Sequence, residues 1–93
     1  MIKSFNRPKI QRAYRAPWYD TVRWRNERKS YLSDNPLCVH CKAEGRIKAA
    51  TILDHKDPIS KQPEHMREQM FWDKNNWQGL CKSHHESKSA KEK

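Results

Sequence analysis

The sequence predicts a small α+β domain that is stapled by a metal and preceded by an N-terminal helix. Three observations carry that expectation. The chain has 93 residues, 34% of them hydrophobic and 33% charged, so its core is thin and in need of a supplement such as a bound ion. All three cysteines fall into short ligand spacings: Cys38 and Cys41 as Cys-x-x-Cys, Cys81 with His84 as Cys-x-x-His. An apolar strand pattern lies between the two pairs, and a stretch without helix breakers lies ahead of them.

Residues 1–16 contain Lys3, Arg7, Lys9, Arg12 and Arg15 and no acidic residue. They predict a basic N-terminal arm that follows phosphates, or a segment that docks on the fold through Phe5, Ile10 and Tyr14. The domain itself is expected over residues 17–93. Pro17 fits a first helical turn, and nothing from Trp18 to Ser33 breaks a helix. Trp18, Val22 and Leu32 share a stripe on it, with Arg23, Trp24 and Arg28 off that stripe. Asp34-Asn35-Pro36 is a stop signal.

The first knuckle follows at Leu37–Cys41. Ile47 to Leu53 reads as a strand ending at Asp54-His55, with Ile59 beginning a second short strand after Asp57-Pro58. Ser60 to Met70 is open between a turn or two of helix and an irregular loop. Phe71 to Trp77 mixes aromatics with turn formers. From Lys82 onward a helix is expected that frays over Lys88–Lys93.

Lys and Arg number 20 against 11 Asp and Glu, a net charge of +9 with pI near 9.8. That balance favours a polyanionic partner, DNA or RNA first. The odd cysteine count, the polar N-terminus and the lack of an apolar run of about 20 residues point to a reducing, cytoplasmic (intracellular) setting with no membrane. Thiolates are then available for metal.

Two short-spaced pairs can each give two ligands to a tetrahedral zinc without strain. Cys38, Cys41 and Cys81 are all consumed in this way. A redox Cys-x-x-Cys would leave Cys81 unexplained and lacks its strand–helix context. For the fourth ligand the spacing favours His84, while His85, His40 and His65 are also available. On a helix, His84 and His85 project about 100° apart, so one can serve zinc while its neighbour points elsewhere.

Asp54 and His55, adjacent on a strand, project to opposite faces. They suit divided labour: the carboxylate as a hard ligand for a cation such as Mg²⁺, the imidazole as a base for water near neutral pH. Asp73 fits a turn cap and His65 an exposed loop. Trp24, Trp72 and Trp77 fit either core packing or base stacking.

Together these residues resemble the HNH endonucleases. The pattern is Leu37-Cys38-x-x-Cys41, then Ile52-Leu53-Asp54-His55, then Asn76-Trp77-Gln78-Gly79-Leu80-Cys81-x-x-His84-His85-x-x-Lys88. It covers Trp18 to the C-terminus and is most like small phage and prophage members. The resemblance implies a zinc-stabilised, treble-clef-like ββα-metal fold. It implies His55 as general base, and Asp54 and His85 as holders of one divalent cation (Mg²⁺, Mn²⁺ or Ni²⁺). Asn76 would bond across the loop to fix the backbone bearing His55. DNA, double-stranded, would be nicked or cut to leave 5′-phosphate ends. Apart from the resemblance, the positive charge makes Arg23, Arg28, Lys56 and Lys88 candidate phosphate contacts, with a solvated lysine the alternative for Lys88. A phage terminase-type packaging partner is a further expectation.

Two departures stand out. His84 replaces the usual last cysteine of the second knuckle, and Lys56 replaces a commonly apolar residue. The competing readings are a non-catalytic zinc module that binds nucleic acid and an accessory subunit of a packaging machine.

Overall fold

The computed structural model of the chain describes residues 14–92. The basic arm expected over residues 1–16 lies outside the described residues up to residue 13. Of its last three residues, Ala16 is buried in the core and Arg15 pairs with Asp20 at 3.0 Å.

The single helix expected from Pro17 is two. Pro17–Asp20 forms a 3₁₀ turn, and α1 runs from Val22 to Asp34. Thr21 divides them: its backbone is extended, and its hydroxyl accepts from the Trp24 amide at 3.1 Å. An N-cap of this kind satisfies an otherwise orphaned donor and sets the helix start. The facing of α1 also differs from expectation. Trp24 is its buried residue at 5% exposure, whereas Val22 is 61% exposed. The offset start turns Trp24 inward, because the large indole removes far more apolar surface from water than valine does.

After the short α2, Val39–Ala43, the chain forms two antiparallel strands, β1 at Ile52–His55 and β2 at Trp77–Leu80. Their pairs are Ile52 with Leu80, Leu53 with Gly79, Asp54 with Gln78 and His55 with Trp77. β1 begins later than the apolar run suggested. Residues 47–50 direct their hydrogen bonds to the knuckle instead: Cys38 N–H to the Lys48 carbonyl and Ala50 N–H to that of Pro36, both at 2.8 Å. Ile47 is 86% exposed. The second strand is not at Ile59, where a 3₁₀ turn, Ile59–Lys61, follows Pro58. It is β2, buried along its whole length.

The undecided stretch after Ser60 holds α3, Glu64–Trp72, with Pro63 at its N-cap. Asp73 caps the following 3₁₀ turn, accepting from the Asn75 amide at 2.9 Å, and His65 is exposed. β2 leads through Cys81 directly into α4, Lys82–Lys91. The buried residues form two clusters. One is aromatic, with Trp24, Phe71 and Trp77 around Leu53 and Ile59; the other is Cys38, Cys41, Leu80 and Cys81. β1 gives Leu53 to the aromatic cluster, while β2 contributes to both, Trp77 to the aromatic one and Leu80 to the thiol one.

Candidate active site and metal centre

The thiol cluster forms where two turns meet. Cys38 caps α2, its sulfur accepting from the Cys41 amide, and Cys81 occupies the N-cap of α4. The i, i+3 spacing places Cys41 and His84 one turn further along each. Cys41 Sγ and Cys81 Sγ are 3.8 Å apart, and His84 Nδ1 lies 3.6 Å from Cys38 Sγ and 3.3 Å from both other sulfurs. A tetrahedral zinc with ligands at about 2.0–2.3 Å sets them about 3.3–3.8 Å apart. The donor set therefore fits zinc, and the cluster could hold it.

Charge supports the same reading. Backbone N–H from His84 is the main influence holding the Cys81 thiol below its ordinary range, against burial. Cys41 is pushed up, by burial first and then by Cys38 and Cys81. Three packed thiols cannot all ionise without a cation among them. The remaining nitrogen of His84, Nε2, meets Glu44 Oε2 at 3.2 Å, and Glu44 also pairs with Arg46. A carboxylate behind an imidazole ligand fixes its tautomer and raises its basicity.

His85 points the other way. Its Nε2 stands 3.8 Å from Asp54 Oδ1. Asp54 and His55 project to opposite faces of β1, the first half-buried and the second buried. Two ligands of one small divalent cation, each at about 2.1 Å, stand about 3–4 Å apart. The Asp54–His85 pair meets that condition. Both residues line a cleft of about 190 Å³, with His55, Tyr19, Ser89 and Glu92 among its other walls.

His55 is held in an aromatic setting. The Trp24 ring stacks on it at 5.4 Å and 15°, and Phe71 stands 4.8 Å away. Nε2 lies 2.9 Å from the Phe71 carbonyl, which can only accept, so Nε2 carries the proton and Nδ1 the lone pair. That lone pair faces the Tyr19 hydroxyl at 3.1 Å. Burial holds the imidazole below its ordinary pKa, and the Phe71 carbonyl and Asp54 oppose this only in part. The ring is thus neutral and able to take a proton at Nδ1. Tyr19 is pushed up to about 12, by burial and then by Asp54, and stays a hydroxyl donor.

Asn76 is buried beneath this site. Its Oδ1 accepts from the Asp57 amide at 2.9 Å, and its Nδ2 donates to the Asp57 carbonyl at 3.2 Å. Its own carbonyl takes the Lys56 N–H at 2.7 Å. These bonds clamp the residues that follow His55.

The four residues expected on phosphates are differently placed. Arg23, Arg28 and Lys56 are exposed, Arg23 with its guanidinium 3.8 Å above the Trp72 ring. Lys88 turns inward, to Asp54 Oδ2 at 3.2 Å, the His55 carbonyl at 3.0 Å and the Glu92 carboxylate. Burial opposes the charge on Lys88, but the two carboxylates outweigh it. Sequence reasoning missed Tyr19, Gln78, Glu44 and Glu92. Only Glu92 carried a signal, its i, i+4 spacing from Lys88.

Neither the protein-family models nor the curated proteins compared with the chain give a match. Among solved structures, the HNH endonuclease of the deep-sea thermophilic bacteriophage GVE2, crystallised with manganese ion, is similar over 81% of this chain and 77% of its own. The two are 33% identical and superpose with a TM-score of 0.68. The chain belongs to the HNH endonuclease family. As an HNH protein it presents both halves of the expected pattern in space, the knuckle cluster and the Asp54-His55, Asn76 and His85 constellation. In this HNH domain the two meet at α4, where adjacent histidines face different clusters. No helix among the described residues is long and apolar enough to cross a membrane.

Proposed function

We propose that this chain is a divalent-metal-dependent endonuclease that hydrolyses phosphodiester bonds of double-stranded DNA. The observation that carries the reading is the approach of Asp54 Oδ1 to His85 Nε2, 3.8 Å apart, at the edge of a cleft that also holds His55. A cation bound there, of the kind present in the GVE2 relative, would stabilise charge on the scissile phosphate and on the departing oxygen. His55 takes the proton of the attacking water at Nδ1, while the Phe71 carbonyl holds the ring in the required tautomer. Asn76 positions the backbone after His55. Cys38, Cys41, Cys81 and His84 bind a structural zinc.

The net charge of +9 favours DNA, with Lys3, Arg7, Lys9 and Arg12 of the basic arm and the exposed Arg23, Arg28 and Lys56 contacting phosphates. Lys88 acts from inside the site. Phosphate contacts carry no sequence information, so cleavage has little sequence preference of its own.

The test is incubation of supercoiled plasmid with the protein and Mg²⁺, Mn²⁺ or Ni²⁺, beside EDTA and His55→Ala controls. Nicked or linear product is expected only with wild type and free metal. Equal, background-level products from wild type and His55→Ala under every metal would overturn the reading.

A further inference from the structure

We propose that Gln78 is a positioning residue that restricts Asp54 to a single metal-facing oxygen. The proposal rests on the assignment of Asp54 and His85 to a divalent cation. Gln78 stands opposite Asp54 in the β1–β2 register and is 8% exposed. Its Nε2 donates to Asp54 Oδ2 at 3.0 Å. Lys88 Nζ reaches the same oxygen at 3.2 Å. The other oxygen, Oδ1, faces His85 Nε2.

A carboxylate with no partners can turn about its last bond and offer either oxygen, or both, to a cation. Two donors converging on Oδ2 stop that rotation. They also occupy the oxygen that bidentate coordination would need. Asp54 is left to bind through Oδ1 alone, in the direction of His85, and more of the cation's coordination sphere remains for phosphate oxygens and water.

Gln78 and Lys88 divide this work by charge. Lys88 brings an ammonium that is balanced by Glu92 as well as Asp54. Gln78 adds a donor without adding charge, so it orients the carboxylate without competing with a cation for it. The neighbouring strand is a rigid support for such a donor, more so than a loop. Ligand carboxylates supported in this way lose metal affinity when the supporting hydrogen bond is removed.

Gln78→Leu keeps the volume and removes the donor. Gln78→Asn keeps an amide but is one methylene too short to reach Oδ2. Mn²⁺ binding to the zinc-loaded protein is measured by titration calorimetry, with zinc content and thermal midpoint recorded for each variant. Both variants are expected to bind Mn²⁺ about 10- to 100-fold more weakly, with zinc retained and a cooperative melt. Asp54→Ala is expected to abolish binding. Wild-type Mn²⁺ affinity in either variant, with Asp54→Ala defective, would overturn the role of Gln78 and leave the metal site standing. Undiminished binding in Asp54→Ala would overturn both. If Gln78→Leu does not fold, Gln78→Asn decides the question.

Discussion

The hydroxyl of Tyr19 stands 3.1 Å from Nδ1 of His55, the one ring nitrogen that the Phe71 carbonyl leaves free. An imidazole nitrogen has one in-plane lone pair, so a water to be activated there must take the place of that hydroxyl. Tyr19 itself is fixed edge-on to Phe71 at 4.8 Å and to Trp24 at 5.5 Å. Tyr19→Phe opens the lone pair and keeps the packing. Plasmid cleavage is expected at the wild-type rate or faster, with a stability loss of about 1 kcal/mol for the missing hydrogen bond. A rate loss of about 100-fold or more, the usual size of a proton-transfer contribution, would show instead that the hydroxyl participates in the step.

The setting of His55 also fixes the sign of a pH effect. Burial keeps its imidazole below the ordinary value of about 6.5. As pH falls through that value the unfolded chain gains the proton first, so stability declines from there until the lower folded pKa is passed. The imidazole stays neutral over the same window. The acid limb of the cleavage rate is therefore expected below pH 6.5, measured at saturating Mn²⁺ with zinc content monitored. A limb above pH 7 would contradict a buried neutral His55.

Glu44 should govern how tightly the cluster keeps its metal. Its carboxylate meets His84 Nε2 at 3.2 Å, behind the nitrogen that faces the sulfurs. Glu44→Ala is expected to weaken zinc binding about 10- to 100-fold in chelator competition. The fold should return in excess zinc, because Cys38, Cys41, Cys81 and His84 are untouched. Removing the metal altogether, with chelator or by Cys41→Ser, is expected to cost most of the stability, since structural zinc contributes about 10 kcal/mol or more in small domains. Unchanged melting after complete zinc removal would contradict a structural role.

How much of this was legible in the sequence follows from the range of the interactions. The clustering of Cys38, Cys41, Cys81 and His84 was, because Cys38 with Cys41 and Cys81 with His84 are local pairs that need only a turn each. The divergence of His84 and His85 followed from helical geometry alone. The stripe on α1 was not, because it depended on where the helix begins, and a single threonine hydroxyl at Thr21 decided that. β2 was missed because Trp77-Gln78-Gly79-Leu80 is buried on both faces and shows no alternation. With β2 unseen, the partner of Asp54 was unseen too, since Gln78 lies 24 residues away in sequence. Lys88 was read as a phosphate contact because its counterions, Asp54 and Glu92, converge only in the fold.

Gly79 offers a test of how closely the layers around β2 are packed. A Cβ added there would lie 2.8 Å from Ala50 Cβ and 3.3 Å from Leu32 Cδ2. The first distance is shorter than real Cβ contacts allow, and Ala50 sits in the segment bonded to Pro36 ahead of the knuckle. Gly79→Ala is therefore expected to destabilise by about 1–3 kcal/mol, the range seen for overpacked sites. That corresponds to a fall in melting temperature of roughly 5–20 °C for a domain of this size. The clash can be relieved from the other side: Ala50→Gly removes the opposing methyl. In a double-mutant cycle, Gly79→Ala with Ala50→Gly should melt above Gly79→Ala alone, a favourable coupling of about 0.5–3 kcal/mol between contacting residues. A double variant no more stable than the single one would mean that the Leu32 contact, not Ala50, limits the space over β2.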